Sequence, residues 1–281
     1  MARFKFFLAV IALLICAGGI GGAYFYWKKF AEPELGVVRH IEGKPGHERE
    51  KPDLGRRHFN EALDLLREGE LVSARDRLLY LMTYFPESQT FDEAKRIVGE
   101  VNLDLLLSPI PQPGKGEHTV RRGEALVSIA RRTGTTIDYI MRANGKTTAL
   151  IYPDEVLTVF PLDFRVEIEV EGGTVTVFQD DSFFKEYTIV DTNLPPTITA
   201  PVSTTVSEKV AWFGDRPINF ADDNYLNCSK WIRTGKIGLF IREKDPSRDD
   251  DSQNFGVMVA KSDMEELFTI LRNGTRVNMV N

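Results

Sequence analysis

The fold-deciding stretch reads HTVRRGEALVSIARRTGTTIDYIMRANG at 118–145 and closes as DEVLTVFP at 154–161. Leu126, Ile129 and Ala130 recur at helical spacing, which predicts a short helix with one apolar face. Thr136 is a residue type that caps helices, so a second helix is expected to begin after it. The apolar run at 156–160 alternates as a strand does. The stretch therefore predicts a small module with the order strand, helix, helix, strand.

This pattern, with its Gly-Glu turn, its "thr-gly-thr" turn and its second helix ending at Asn144, resembles a LysM module. The resemblance implies a βααβ fold that binds polymers of N-acetylglucosamine, above all peptidoglycan. One departure is visible, because Asp154 stands before the closing strand where the family usually has Gly. Gly adopts positive φ at lower cost than Asp, so this turn is expected to differ in energy from that of the family.

The resemblance also places the glycan-binding groove between two loops. We expect backbone groups and a shallow apolar floor there to meet the sugar N-acetyl groups. Leu126 and Tyr152 are expected to contribute side chains that can be replaced without unfolding the module. The full set of predicted glycan-binding residues is Gly123, Glu124, Ala125, Leu126, Leu150, Ile151, Tyr152 and Pro153.

Length and composition indicate two or more globular domains, with 281 residues, 42% hydrophobic residues and a formal charge of −6. An acidic chain argues against nucleic acid as a partner, because phosphate binding needs clustered Lys and Arg. The two cysteines, Cys16 and Cys228, are not expected to form an intrachain disulfide, since Cys16 lies in the apolar N-terminus. No pattern for a cofactor or a metal site is present, so none is predicted.

The N-terminus predicts a transmembrane signal anchor at residues 1–29. The uncharged run Phe6–Trp27 lies between Lys5 and Lys28 and is long enough to cross a bilayer core of about 30 Å. A cleaved signal peptide and a lipoprotein, with Cys16 after an imperfect lipobox, remain alternatives. The chain is thus expected to be a single-pass protein of a bacterial cell membrane, with its bulk in the periplasm or otherwise outside the cytoplasm.

Three segments follow before the module at 117–162. Residues 30–54 predict a polar linker punctuated by Pro and Gly. Residues 55–107 predict helices that resemble a tetratricopeptide pair plus a capping helix, although one repeat rarely stands alone. We therefore expect these helices to dock on a neighbouring domain. Residues 108–116, rich in Pro and Gly, predict a second linker.

Residues 163–281 predict a β-rich domain that opens with a hairpin turned at Gly172-Gly173. The Ile237-Gly238-Leu239 segment matches the residues that precede the His-Gly-Thr motif of the L,D-transpeptidase family, and the Phe255–Val259 segment falls where that family has its His-Gly-Cys-Ile-Arg motif. The domain thus resembles that family, which crosslinks peptidoglycan stem peptides through a cysteine thiolate.

The expected catalytic positions hold no catalytic groups. Phe240 stands where the family has His, Val257 where it has the nucleophilic Cys, and Val259 where it has Arg. All four histidines lie at or before His118. Because a thiolate nucleophile needs an activating base, we expect no catalytic residue here and interpret Cys228 as a buried small side chain.

The sequence as a whole predicts a multidomain α+β protein: an N-terminal transmembrane helix, a small TPR-like helical element, a βααβ LysM module and a C-terminal β-rich L,D-transpeptidase-like domain. The expected function is peptidoglycan binding by a membrane-anchored envelope protein whose last domain is a pseudoenzyme, with cell-wall enzymes as further partners. One alternative is a divergent L,D-transpeptidase or other wall enzyme. Another is an envelope assembly protein that binds a partner through its helices.

Overall fold

The computed structural model describes residues 52–244 and 255–280. From Asp53 onward the chain forms one compact unit. It is a mixed α+β structure with six α-helices and eleven strands in the described ranges. None of the described helices is both long and apolar enough to cross a membrane. The predicted anchor at 1–29 and nearly all of the linker at 30–54 lie outside the described residues.

Three antiparallel helices open the unit: α1 (Gly55–Arg67), α2 (Leu71–Tyr84) and α3 (Phe91–Leu107). Each helix has one fully buried alanine, namely Ala62, Ala74 and Ala94. A separate apolar core forms between them, and its buried members are Ala62, Leu78, Leu81, Ala94 and Val98.

The βααβ module follows as β1 (Gly116–Thr119), α4 (Leu126–Thr133), α5 (Ile137–Ala143) and β2 (Val156–Val159). The two strands pair antiparallel. Helix α4 ends at Gly134, which adopts the left-handed conformation (φ 67°) that glycine tolerates best. The Thr136 hydroxyl accepts a hydrogen bond from the backbone N–H of Tyr139 at 3.0 Å. The predicted order of elements and the predicted helix cap are therefore confirmed.

Nine strands build the C-terminal region. They are β3 (Phe164–Glu169), β4 (Thr174–Gln179), β5 (Ser182–Asn193), β6 (Val202–Phe213), β7 (Arg216–Ile218), β8 (Ser229–Thr234), β9 (Phe240–Glu243), β10 (Gly256–Val259) and β11 (Arg276–Val280). Their order is β11-β3-β4-β5-β10-β9-β8-β6-β7, and β11 also pairs with β6, so the sheet closes on itself. The predicted hairpin is confirmed as β3 and β4. Helix α6 (Lys261–Ile270) follows β10.

The helical element docks on the sheet through α3 and β5. The Asn102 side-chain amide donates to the backbone carbonyl of Phe184 at 2.8 Å. The buried Lys185 ammonium reaches Glu100 at 2.9 Å and Glu266 of α6 at 2.8 Å. Buried amide and ammonium groups need such partners, so these contacts fix the helix on the strand. The expectation that the helices pack on a neighbour is confirmed.

A buried polar cluster joins the βααβ module to the sheet. The Tyr225 hydroxyl donates to Asp138 of α5 at 2.9 Å. Lys209 and Lys230 from the sheet each lie 3.7 Å from the same carboxylate. Lys230 also donates to Glu265 of α6 at 2.6 Å. Burial lowers the pKa of Lys209 to about 8, against the opposing effect of Asp138.

The apolar core is continuous across this junction. Leu126 and Ile140 of the module, Leu106 of α3, and Val166 and Leu267 beyond it belong to one buried cluster. The module is therefore a fixed part of the unit rather than a body on a free tether. The predicted linker at 108–116 is held as well, because the Lys115 ammonium donates to the carbonyls of Leu105 (2.7 Å) and Ser108 (2.6 Å).

Candidate functional site

The two loops predicted to form the groove meet at their bases. The N–H of Val120, just before the first loop, donates to the Glu155 carbonyl at 2.8 Å. The Val120 carbonyl accepts from the N–H of Asp154, also at 2.8 Å. These two bonds extend the β1–β2 ladder and bring the chain ends of both loops side by side. The two bonds thus join the chain just before the first loop, at Val120, to the chain just after the second loop, at Asp154 and Glu155.

Glu124 holds the first loop in shape. Its carboxylate accepts from the Arg121 N–H at 2.8 Å, lies 2.9 Å from His118 Nε2, and accepts from Arg132 at 2.7 Å. The Arg121 N–H, followed by His118 and Arg132, lowers the pKa of this carboxyl to about 2. Glu124 therefore positions Gly123, whose positive φ of 83° turns the chain, and its carboxylate is engaged within the loop.

The second loop presents apolar side chains to solvent. Leu150 is 58% exposed and Tyr152 is 61% exposed, while Ile151 is half-buried and Pro153 is exposed. Glu155 supports this loop, since its carboxylate accepts from the Tyr152 N–H at 3.0 Å and from Lys146 at 2.6 Å. A braced loop with an exposed leucine and an exposed tyrosine offers a pre-formed apolar surface to a ligand.

Leu126 does not share that exposure. Its side chain is only 2% exposed and belongs to the continuous core, because it begins α4 on the helix face that packs inward. The expectation that Leu126 could be replaced by Asp without unfolding the module is therefore corrected. Ala125, one residue earlier, is exposed, and its backbone is tied into the start of α4 through Ser128.

The turn before the closing strand requires a positive φ at Asp154. Its φ is 70°, the left-handed region in which an L residue is disfavoured relative to glycine. Its N–H bond to Val120 fixes the residue in this conformation. Asp154 therefore holds a positive φ at a conformational cost that glycine would not carry.

Asn144 joins the second helix to the closing strand. Its side-chain amide donates to the carbonyls of Ile140 at 2.7 Å and Thr158 at 3.0 Å, and its oxygen accepts from the Thr158 N–H at 2.8 Å. All side-chain polar atoms of this residue are used within the module. Asn144 is thus a structural residue, which explains why an Asn follows the helix at this point.

The three positions where the sequence resemblance predicts catalytic groups lie in or beside the sheet core. Val257 and Val259 are fully buried on β10, and Phe240 on β9 is half-buried with its ring 6.5 Å from that of Trp231. Gly256 sits so close to β9 that an added Cβ would lie 2.6 Å from the Phe240 carbonyl oxygen. These side chains fill space and have no group able to attack or to take a proton.

Cys228 is buried, and its thiol donates to the Tyr225 carbonyl at 3.0 Å. Burial raises the pKa of this thiol, although Lys230 acts in the opposite direction. The Lys230 ammonium is held between Glu265 and Asp138. A buried, protonated thiol is a poor nucleophile, so the interpretation of Cys228 as a core residue agrees with its surroundings.

Some residues of this region carry no local sequence signal. In the sequence, Asp138 is an ordinary acidic residue in the first turn of a helix. In the structure, its carboxylate lies 3.7 Å from the ammonium groups of Lys209 and Lys230, which belong to strands far along the chain. No cluster of His, Cys, Asp and Glu in the ranges 52–244 and 255–280 has the arrangement of a metal site. The acidic run Asp249–Asp251 lies outside those ranges.

Comparison with known proteins assigns the module. The LysM domain family model matches residues 118–160. The chain is also 35% identical over 86 residues to N-acetylmuramoyl-L-alanine amidase sle1 from two strains of Staphylococcus epidermidis. That match covers 31% of this chain and 26% of the relative, so it spans about a quarter of the relative's length.

Solved structures similar to this chain include L,D-transpeptidases. The enzyme (Yku) from Stackebrandtia nassauensis has a TM-score of 0.31 and 17% identity, covering 42% of this chain and 56% of that one. A mutant of the Enterococcus faecium L,D-transpeptidase has a TM-score of 0.30 and 19% identity, covering 49% and 59%. Structural likeness at this level is weak, whereas the family match to the module is specific. Residues 118–160 of this chain are a LysM domain.

Proposed function

We propose that this protein binds peptidoglycan through a groove between residues 123–125 and 150–153 of its LysM domain. The observation that supports this most is the pairing of a braced second loop with two exposed apolar side chains, Leu150 and Tyr152. A sugar ring has apolar C–H faces and polar edges. It therefore needs a flat apolar surface beside backbone donors and acceptors, which two adjacent loops supply.

The acidic character of the chain fits this ligand. Peptidoglycan glycan strands are not recognised through phosphate, so no basic surface is required. Rigid attachment of the LysM domain to the sheet, through Asp138 and the continuous core, keeps the groove pre-formed. A pre-formed groove loses less conformational entropy when the ligand binds.

Sedimentation with purified peptidoglycan tests the proposal. The unit from Asp53 onward should pellet with sacculi and return to the supernatant when soluble N-acetylglucosamine tetramers are added. Raising the salt concentration should change the pelleted fraction little, because the contact is not mainly ionic. Release by salt alone, or no sedimentation, would contradict the proposal.

The same proposal includes a membrane anchor at residues 1–29. Its support is the uncharged run Phe6–Trp27 between basic residues. Mass spectrometry of the mature protein should find this segment still attached. A mature N-terminus at Tyr24, or a lipid on Cys16, would replace the anchor by one of its alternatives.

The proposal further holds that the C-terminal region scaffolds or binds and does not crosslink peptides. Buried Val257, half-buried Phe240 and the protonated thiol of Cys228 support this view. Cys228→Ser should leave wall crosslinking unchanged. Rapid labelling of Cys228 by a thiol probe at neutral pH, together with fewer crosslinks in the Ser variant, would favour the divergent-enzyme alternative.

A second candidate function, assembly with a protein partner, draws on the helical element. Four rings cluster there. The His58 ring centroid lies 5.0 Å from that of Tyr80 and 5.1 Å from that of Phe85, and the Tyr80 and Tyr84 centroids are 4.6 Å apart. Tyr84 is 65% exposed. Exposed aromatic side chains are enriched at protein interfaces. Tyr84→Ala should therefore disturb partner capture and leave wall binding intact.

A further inference from the structure

The C-terminal region contains a pocket of about 510 Å³ between the β6–β7 hairpin and strands β8 and β9. Among the residues that the structure describes, those that line it lie between 212 and 261, outside the LysM domain. We call it the tryptophan pocket and define it by Trp212, Trp231, Asn227, Ser229 and Arg233. Its volume lies within the range that small ligands occupy in proteins.

Two indole rings form the apolar surface of the tryptophan pocket. The Trp212 and Trp231 ring centroids are 6.0 Å apart and the rings are inclined by 55°. Strand β8 alternates, so that Lys230, Ile232 and Thr234 are buried while Ser229, Trp231 and Arg233 are only half-buried. Trp231 therefore lies on the less covered face of the sheet. Tryptophan side chains left partly exposed in a concave site are typical of ligand recognition.

Polar groups of several kinds surround these rings. The Asn227 amide and Ser229 hydroxyl can both donate and accept hydrogen bonds. Arg233 is held by Glu208 at 3.1 Å, and the buried Arg242 has its guanidinium carbon 5.5 Å from the Trp231 ring centroid. Asp215 and Glu243 add carboxylates to the lining. A pocket with both charge signs and neutral amide and hydroxyl groups is not built for a simple anion.

Flat rings beside groups that both donate and accept match the chemistry of a sugar. The apolar face of a pyranose ring stacks on indole, and its edge carries hydroxyl and acetamido groups. We propose that the tryptophan pocket binds a short segment of amino-sugar glycan. This deepens the proposed function, since it names a second contact with the same class of polymer, and it uses residues separate from the LysM groove.

Tryptophan fluorescence offers a direct test, because the chain has three tryptophans and two of them line the pocket. The probe is the soluble N-acetylglucosamine tetramer, added to the full chain carrying Trp27→Phe. We expect a saturable change in emission. It should persist in Tyr152→Ala, which alters only the LysM groove, and weaken at least tenfold in apparent affinity in Asn227→Ala, which keeps both rings.

Calorimetry on the full chain separates this proposal from the LysM proposal. We expect two tetramers bound per chain, one lost in Tyr152→Ala and the other in Trp231→Ala, with Trp231→Phe retaining part of the affinity. A single site that vanishes in Tyr152→Ala, without any fluorescence change, would overturn the tryptophan pocket and leave the LysM groove standing. A single site that vanishes only in Trp231→Ala would overturn the LysM groove and leave the tryptophan pocket standing. Thermal melting checks that each variant is folded. If Trp231→Ala does not fold, Asn227→Ala tests the tryptophan pocket in its place, because Asn227 is exposed and its replacement should leave the fold intact.

Discussion

The loop at 150–153 and the strands that carry Phe240, Val257 and Val259 use apolar side chains in opposite ways. In the loop, Leu150 and Tyr152 point away from the core and are more than half exposed. In the strands, the two valines are fully buried. Exposure of apolar area is unfavourable in a free protein, and this cost is the reason we propose a ligand for the braced loop.

The contrast shows that a resemblance in sequence does not by itself fix what a region does. The loop at 150–153 leaves its leucine and its tyrosine open to solvent. Strand β10 packs both of its valines in the core, and the positions where the sequence resemblance predicts catalytic groups hold none. Function therefore has to be argued from the exposed groups of each region and not from the fold alone.

The largest effect is expected from Leu126→Asp, which places a carboxylate in the core of the LysM domain. A buried, unpaired charge should destabilise the fold by about 4 kcal/mol or more. Circular dichroism during thermal melting measures this. Val127→Asp is the matched control, because Val127 is the next residue and is half exposed. If both variants melt like the parent, Leu126 is not the core residue described above.

Val257→Ala is expected to cost about 2 kcal/mol, since it removes buried methyl groups and leaves a cavity. Urea unfolding should show the loss as a lower midpoint, whereas Val190→Ala, at an exposed position on β5, should change the midpoint little.

Val257→Cys should fold normally and acquire no crosslinking activity, because the chain has no His after His118 to activate the thiol. Crosslinking by that variant would show that the site is not filled but merely lacks its nucleophile.

Glu124→Gln should destabilise the LysM domain at neutral pH, because the ionised carboxylate accepts bonds that an amide accepts less strongly. The pKa of Glu124 is lowered from 4.5 to about 2 on folding. Its contribution is therefore fully present above pH 4.5 and is lost as the pH falls toward 2. Melting temperatures of parent and variant should converge across that interval. A difference that is constant from pH 7 to pH 2 would assign the effect to something other than the carboxylate charge.

Asp154→Gly is expected to have the smallest effect, a stabilisation of about 0.5 kcal/mol. Relief of the left-handed conformation favours the variant by about 1–2 kcal/mol, and the greater freedom of glycine in the unfolded chain offsets about 0.4–1 kcal/mol of it. Chemical unfolding against the parent measures the balance. Destabilisation would mean that the Asp154 side chain makes a favourable contribution that outweighs its backbone strain.

Local patterns predicted the LysM domain well because its order of elements depends on neighbouring residues. The spacing of Leu126, Ile129 and Ala130 and the capping type of Thr136 are short-range signals, and the structure confirms both. The resemblance to the LysM family placed Leu126 in the groove, whereas its helical spacing placed it on the apolar face of α4. The packing of α4 decides for the second, because the Leu126 side chain is buried in the core.

Local sequence patterns did not predict the long-range contacts. Asp138 contacts Lys209, Tyr225 and Lys230. All three lie far along the sequence from Asp138, and no local feature of the sequence indicates that pairing. The tryptophan pocket likewise depends on strand register, which sets Trp212 opposite Ser229 and Trp231 opposite Arg242. The register of a sheet that closes on itself depends on the pairing of all its strands, so it cannot be predicted from the sequence of any single strand.

The central claim, that the exposed loop of the LysM domain binds the wall, is tested most directly by a matched pair of tyrosines. Tyr152 and Tyr84 are 61% and 65% exposed, one in the groove and one on the helical element. Both replacements by Ala should leave the melting temperature nearly unchanged, because neither side chain is buried. The measurement is the dissociation constant for purified peptidoglycan in sedimentation. We expect Tyr152→Ala to weaken binding roughly tenfold, about 1.4 kcal/mol, and Tyr84→Ala to bind like the parent. Equal binding by parent and Tyr152→Ala, or a loss confined to Tyr84→Ala, would contradict the central claim.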